Sequence, residues 1–363
     1  MRSPRSRALE RDAGGVAVEH VELIPGMPDD VAVDCLARVP HGAHRAMRRV
    51  CRGWRSAAAT PAFAMARAEA GANEDLVYLL QFANPAAAAA AAEEAKEDGD
   101  APANSPAYGL PVYNVTTGNW RREKAAPPVP HVRAVRRVGN APGDPRRLGP
   151  QDVRARGGRP RARRLHRRVA ERAADAVGEH KNALKTAEAY DAVADAWDPL
   201  PDMSEDRDEC DGMATVAGDR FLAVSGYRTA RQGGFERDAE WFDPAARAWR
   251  RLDRVRAPPS AAHVVVRGRV WCIEGAAVME WLGSRGGWRE VGPSPPGLKA
   301  GTARAVCVGG GERVVVTGAI EDSDGGSGRH ALWVFDVKTK NWTVVRPPPE
   351  FAGFAFSVAA VRI

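Results

Sequence analysis

The chain has 363 residues, a formal charge of +7 and 27% charged residues, enough length for two domains and a sizeable core. Its five cysteines are scattered, odd in number and never spaced CxxC, which excludes a disulfide framework and a zinc finger and points to a reducing compartment, cytoplasm and nucleus. No apolar run approaches about eighteen residues, so no membrane span is expected.

In chain order, residues 1–18 carry Arg but no hydrophobic segment and read as a disordered tail rather than a secretory signal. Residues 19–70 read as a small helical domain. Pro28, Asp29 and Asp30 suit a first helical turn and its dipole. Val31, Cys35, Leu36 and Val39 then share one face, and Pro40 stops the helix. A second helix is expected near His41–Met47. A third, Arg48–Ala58, turns Val50, Cys51 and Trp54 inward and its arginines outward. A three-helix unit this small is marginal alone and needs a partner for its apolar face.

Residues 71–363 are organised by a recurring pair. Tyr113 is followed seven positions later by Trp120, Tyr190 by Trp197, Phe242 by Trp249, Trp281 by Trp288 and Phe335 by Trp342. The spacing predicts a hairpin: the first aromatic closes one strand, a polar turn reverses the chain, and Trp opens the next. An aromatic pair repeated per unit is the signature of a β-propeller, and these ten residues are its expected blade cores. Strands are expected at 76–82 and Tyr108–Val115, separated by a low-complexity insertion over 83–106 that includes seven consecutive Ala. The pairs Asp211–Val216 with Arg220–Ser225 continue the pattern, and Gly226, Gly275 and Gly318 stand at strand ends where the chain crowds the axis. Gly309-Gly310-Gly311 reads as a hairpin turn, and Phe354–Arg362 supplies a strand to the first blade, so both ends close the ring.

The Arg-rich segment 121–180 breaks the repeat. Residues 125–179 hold 14 Arg and 5 acids, a net +9 that leaves −2 for the remainder, so the basic signal is assigned to this segment. Its Ala, Arg, Pro and Gly excess fits either a blade read out of frame or an arm for phosphate backbones; without interleaved aromatics the second is the weaker reading, and nucleic acid is not an expected partner.

Two stretches resemble known families. Ile24-Pro25, Pro28-Asp29-Asp30, Cys35-Leu36, Val39-Pro40, Arg48, Val50-Cys51 and Trp54-Arg55 resemble an F-box. That resemblance implies docking onto Skp1 and through it cullin-1, with Leu23, Ile24, Pro25, Pro28, Leu36, Pro40, Val50, Cys51 and Trp54 in the core or facing Skp1. The stretches Ser204–Gly212, Val224–Thr229 and Gln232–Glu236 resemble the plant F-box/kelch proteins of the Kiss-Me-Deadly subgroup. This implies a kelch-type propeller of about six blades, of which five are recognisable. It also implies phenylalanine ammonia-lyase or type-B cytokinin response regulators as substrates.

No nucleotide-binding, zinc-protease or hydrolase motif is present, so no catalysis, cofactor or metal is expected. The expected function is substrate adaptor of an SCF ubiquitin ligase. The alternatives are a non-ligase kelch scaffold and a defective member lacking a blade. Charged loops at Glu205–Asp211, Arg228–Arg237 and Glu321–Arg329 are candidates for gripping a protein substrate, with Arg207, Asp208, Glu209, Arg228 and Arg231 foremost.

Overall fold

The computed structural model describes residues 22–82, 108–123, 182–191, 196–208, 210–214, 221–252, 255, 262–274, 277–283, 285–321 and 329–363. The insertion at 83–106, the Arg-rich segment beyond Glu123, and Gly275 lie outside the described residues. Two compact units result. One is helical, runs to Leu76, and includes Asn114–Gly118 and Arg362–Ile363; the other takes Val77–Tyr113 and Asn119–Val361.

The helical unit contains α1 (Asp29–Ala37), α2 (His44–Val50), α3 (Arg52–Ala57) and α4 (Pro61–Glu69), with a 3-10 turn at His41–Ala43 before α2. The expected third helix is cut in two because Cys51 is fully extended, with φ −156° and ψ 171°, and its sulfur accepts from the Trp54 amide at 3.4 Å as the cap of α3. That break overturns the inward placement of Val50 and Cys51: both are exposed. The expected face of α1 is also rotated. Ala32, Leu36 and Ala37 are buried, while Val31 and Cys35 face outward. The core joins Leu36, Ala37, Met47 and Phe63, with Val33, Val39 and Trp54 against them. Phe63 belongs to α4, a fourth helix beyond the three expected, capped by the Thr60 hydroxyl on the Phe63 amide at 3.2 Å.

The second unit is mainly β, a β-propeller arrangement of sequential antiparallel sheets. The first strands are β1 (Asp75–Phe82), β2 (Tyr108–Asn114), β3 (Trp120–Glu123), β4 (Glu188–Asp191) and β5 (Ala196–Pro199). Next come β6 (Asp211–Ala214), β7 (Phe221–Val224), β8 (Ala239–Asp243) and β9 (Ala248–Arg251). Then follow β10 (Ala262–Val266), β11 (Arg269–Glu274), β12 (Ala277–Trp281) and β13 (Trp288–Pro293). The last are β14 (Arg304–Val308), β15 (Arg313–Ala319), β16 (His330–Asp336), β17 (Trp342–Val345) and β18 (Ala355–Arg362). Among the described residues there are four four-stranded sheets, β18-β1-β2-β3, β6–β9, β10–β13 and β14–β17, and a two-stranded one, β4-β5. A sixth sheet, implied by the resemblance, is absent among the described residues. The closing strand does join the first sheet, as its position in the sequence predicts.

All five aromatic pairs are direct cross-strand neighbours: Tyr113 opposite Trp120, Tyr190 opposite Trp197, Phe242 opposite Trp249, Trp281 opposite Trp288 and Phe335 opposite Trp342. Each therefore opens the outer hairpin of its sheet. The turn chemistry is a repeat that aromatic spacing alone does not reveal. The side-chain oxygen of Asn114 accepts from the amides of Thr116 and Thr117; Asp243 serves Ala245 and Ala246, and Asp336 serves Lys338 and Thr339. A left-handed residue ends each of these turns: Gly118 (φ 75°), Arg247 (47°) and Lys340 (59°). Where Leu282 replaces the acid or amide, the turn closes through backbone bonds to Gly283 and Gly287 instead.

Three of these Trp side chains reach back to the preceding sheet or the chain just past it. The indole N–H of Trp249 donates to Pro201 O at 2.8 Å, that of Trp288 to Val255 O at 2.6 Å, and that of Trp342 to Pro293 O at 2.8 Å. Trp120 stacks on Phe351 at 5.6 Å, just past β17, and the buried Gln81 donates to Phe351 O and Gly353 O. The first and last sheets are thus tied together. Between neighbours the core is apolar: Val264, Trp271 and Val278 of one sheet pack with Val314, Val316 and Trp333 of the next. Gly226 has φ 87°, and a Cβ there would meet Asp208 O at 2.7 Å, so only glycine fits. Gly309, Gly310 and Gly311 all take positive φ in the β14–β15 turn.

Candidate functional site

Arginine and glutamate position the helical unit. Arg67 on α4 is buried, and its guanidinium donates to Ala37 O at 2.7 Å and Val39 O at 2.8 Å at the end of α1 and to Ala72 O at 2.5 Å just past α4, satisfying carbonyls left over at both helix ends. Glu74 meets Arg67 at 3.4 Å and accepts from the His41 amide at 2.6 Å and from the Asn114 side chain. Burial opposes ionisation of Glu74, but those hydrogen bonds and the Arg67 charge outweigh it and hold its carboxyl below the usual range. Burial likewise lowers the His44 pKa, assisted by Arg67, against a hydrogen bond to Val39 O that raises it.

On this frame the nine expected helical-site residues divide. Leu36 is core at 3% exposure. Trp54 is half-buried, with its indole N–H on Leu23 O at 2.7 Å; Leu23 and Ile24 are half-buried. Pro25, Pro28, Pro40, Val50 and Cys51 are exposed. Three of the five large apolar side chains that the described residues expose are Val31, Val50 and Met65 of this unit, at 44%, 62% and 63%. This is apolar surface that its own core does not cover.

The expected substrate-gripping residues behave differently. Arg207 is 4% exposed and not a surface residue. It spans Asp238 at 2.8 Å and Glu240 at 3.0 Å and donates to Ser225 O at 2.8 Å. Glu240, fully buried, takes the Ser204 amide and hydroxyl on its other oxygen at 2.9 and 2.6 Å. Burial opposes ionisation of Asp238 and Glu240, yet Arg207 and these donors keep both carboxyls below their ordinary range. Arg228 pairs with Glu205, Glu236 and Asp238; Asp208 accepts from the Tyr227 hydroxyl at 2.9 Å. Arg231 is exposed and pairs with Glu236 at 3.3 Å. Glu209 and 322–328 lie outside the described residues. The cluster is a clamp that pins 203–208 to the β7–β8 hairpin. Arg207 is its structural centre, and sequence reasoning had no signal for the partners, which are 31 and 33 residues away.

The cysteines are all free, and burial pushes the Cys210 thiol up to about 11, leaving it protonated at neutral pH. Among the described residues, no group of three or more His, Cys, Asp or Glu gathers to hold a metal, and no helix is long and apolar enough to cross a membrane.

The charge distribution departs from expectation. Residues 39–68 carry six Arg and no acid, so the basic signal is not confined to 125–179; outside both segments the chain has a net −8. Arg67 is committed to Glu74, and five arginines remain on the surface of α2 and α3.

Comparison with known proteins agrees with this division. An F-box domain model matches residues 24–64. The F-box/kelch-repeat protein At2g44130 of Arabidopsis thaliana is 32% identical, over 98% of this chain and 99% of its own length. F-box/kelch-repeat protein SKIP20 is 30% identical over 69% of this chain and 74% of its own length; F-box/kelch-repeat protein At1g80440 is 29% identical over 76% and 82%, both from the same plant. With a helical F-box unit preceding sequential propeller sheets, and a relative aligned from end to end, the chain belongs to the plant F-box/kelch-repeat proteins.

Proposed function

We propose that the protein is a non-catalytic substrate adaptor of an SCF-type ubiquitin ligase, its F-box docking a Skp1-type linker and its propeller holding the protein to be modified. The observation that carries this reading is the exposure of Val31 and Val50 on a helical unit matching the F-box. Such surface is costly to leave in water and gains from a partner's groove. The chemistry of ubiquitin transfer then belongs to partners; this chain contributes proximity. Cytoplasm and nucleus are the proposed locations. By the resemblance to the Kiss-Me-Deadly subgroup, phenylalanine ammonia-lyase and type-B response regulators are the proposed first substrates to test.

The direct experiment is co-precipitation of the full chain with a Skp1-type linker, comparing wild type with Val31→Asp and Val50→Asp. Both positions are exposed, so the fold is expected to survive, and capture is expected to fall at least about tenfold. Capture unchanged in both variants removes the docking assignment.

A further inference from the structure

We propose that the arginines of α2 and α3 form a second, electrostatic component of the docking surface, fitted to an acidic patch on the linker protein beside its apolar groove. The inference rests on the adaptor reading and adds the partner's chemistry to it.

Arg45, Arg48 and Arg49 stand at i, i+3 and i+4 on α2, and Arg52 and Arg55 at i and i+3 on α3; all five are exposed. Like charges at these spacings repel across one turn. The two groups also meet, because Arg55 Nε donates to Arg48 O at 3.0 Å. Among the described residues Arg45, Arg49 and Arg52 pair with no carboxylate. In the sheets Arg207, Arg228, Arg251, Arg269 and Arg289 each face one, Arg250 lies over the Trp241 ring and Arg304 donates to backbone carbonyls. A stripe of one sign, with no acid across thirty residues, opposes folding of the isolated unit and supplies a field for a partner of opposite sign.

The occupant is a protein surface rather than a phosphate backbone or a lipid headgroup. Val50, 62% exposed, lies in sequence between Arg49 and Arg52, and the half-buried Trp54 between Arg52 and Arg55. Apolar and aromatic side chains interleaved with guanidiniums are the composition of protein interfaces, where Arg is enriched and carboxylates pair with it in a bidentate manner. The stripe is also continuous in sequence with the F-box match at 24–64.

The test measures association of the full chain with a Skp1-type linker by stopped-flow, from about 50 to about 500 mM NaCl, a range over which the Debye length shrinks several-fold. The expected association rate falls at least about tenfold across that range. Arg45→Gln/Arg49→Gln/Arg52→Gln together lower it about tenfold at low salt and flatten the salt response, with dissociation little changed. The charge-keeping triple Lys variant retains most of the rate, which separates charge from any change of fold. A salt-independent rate, or a Gln variant equal to wild type, overturns this proposal and leaves the apolar docking reading standing. No association at any salt overturns both. Retention of a single-stranded RNA or of phosphatidylserine vesicles by these arginines, with linker association indifferent to them, also overturns the proposal.

Discussion

The sheets settle most of their apolar and polar demands internally, and the helical unit leaves more of its own unmet. In β14–β17, Phe335 and Trp333 are at most 1% exposed, Trp333 and Trp342 spend their indole N–H groups on Pro296 and Pro293, and Asp336 closes its own turn. In the F-box unit, Val31, Val50 and Met65 stay in water, and three arginines face no carboxylate among the described residues. A region whose apolar and polar demands are met internally is built to persist. A region that leaves both unmet is built to associate, because the remaining free energy is realised only on contact.

The comparison breaks most readily at the clamp. Arg207→Ala strands the buried Glu240 carboxylate, and removing one member of a buried pair costs about 3–5 kcal/mol, so chemical denaturation is expected to show a loss of that size. The same change leaves linker capture at wild-type level if the two regions divide labour as described. Phe335→Ala empties a site in the core shared by β10–β13 and β14–β17, at about 3–5 kcal/mol, read in the same assay.

Acid sharpens the contrast further. Glu74, Asp238 and Glu240 are held below their unfolded pKa values, so the stability they contribute is full above about pH 5 and is lost as pH falls through the folded values. His44 and His330 are lowered chiefly by burial and disfavour the proton when folded. Their contribution is full above about pH 6.5 and declines as pH drops below it. Melting temperature from about pH 8 down to about pH 2 is therefore expected to fall in two stages, and His44→Gln to shrink the first. A smaller effect belongs to the turns. Asp243→Ala loses two amide partners and is expected to cost about 1 kcal/mol, while Arg247→Gly relieves a left-handed non-glycine residue and is expected to gain up to about 1 kcal/mol.

How legible each region is follows from the range of its interactions. The pairing of Phe242 with Trp249, or Phe335 with Trp342, was readable because a short hairpin puts fixed spacing directly into register. The closing strand was readable because a propeller needs its ends joined. The Asx turns at Asn114, Asp243 and Asp336 were written in the same repeats, one residue after each aromatic, and only the geometry gave them their role. The break at Cys51 was hidden, since the segment from Arg48 to Ala58 has continuous helical periodicity and a single extended residue shifts the whole face. Arg207 reads from sequence as a substrate-gripping surface charge, and nothing in the sequence marks Arg67, Glu74 or Glu240; burial by residues distant in sequence makes structural centres of Arg67 with Glu74 and Arg207 with Glu240. The arginines of 39–68 were legible by simple counting and were masked by the larger excess at 125–179.

The central claim is that the unfinished helical surface is where the ligase linker binds. Hydrogen–deuterium exchange of the full chain with and without a Skp1-type linker tests it most directly. Slowed exchange centred on residues 24–64, with β6–β17 unchanged, is the predicted result. Slowed exchange in those strands with 24–64 unaltered contradicts it.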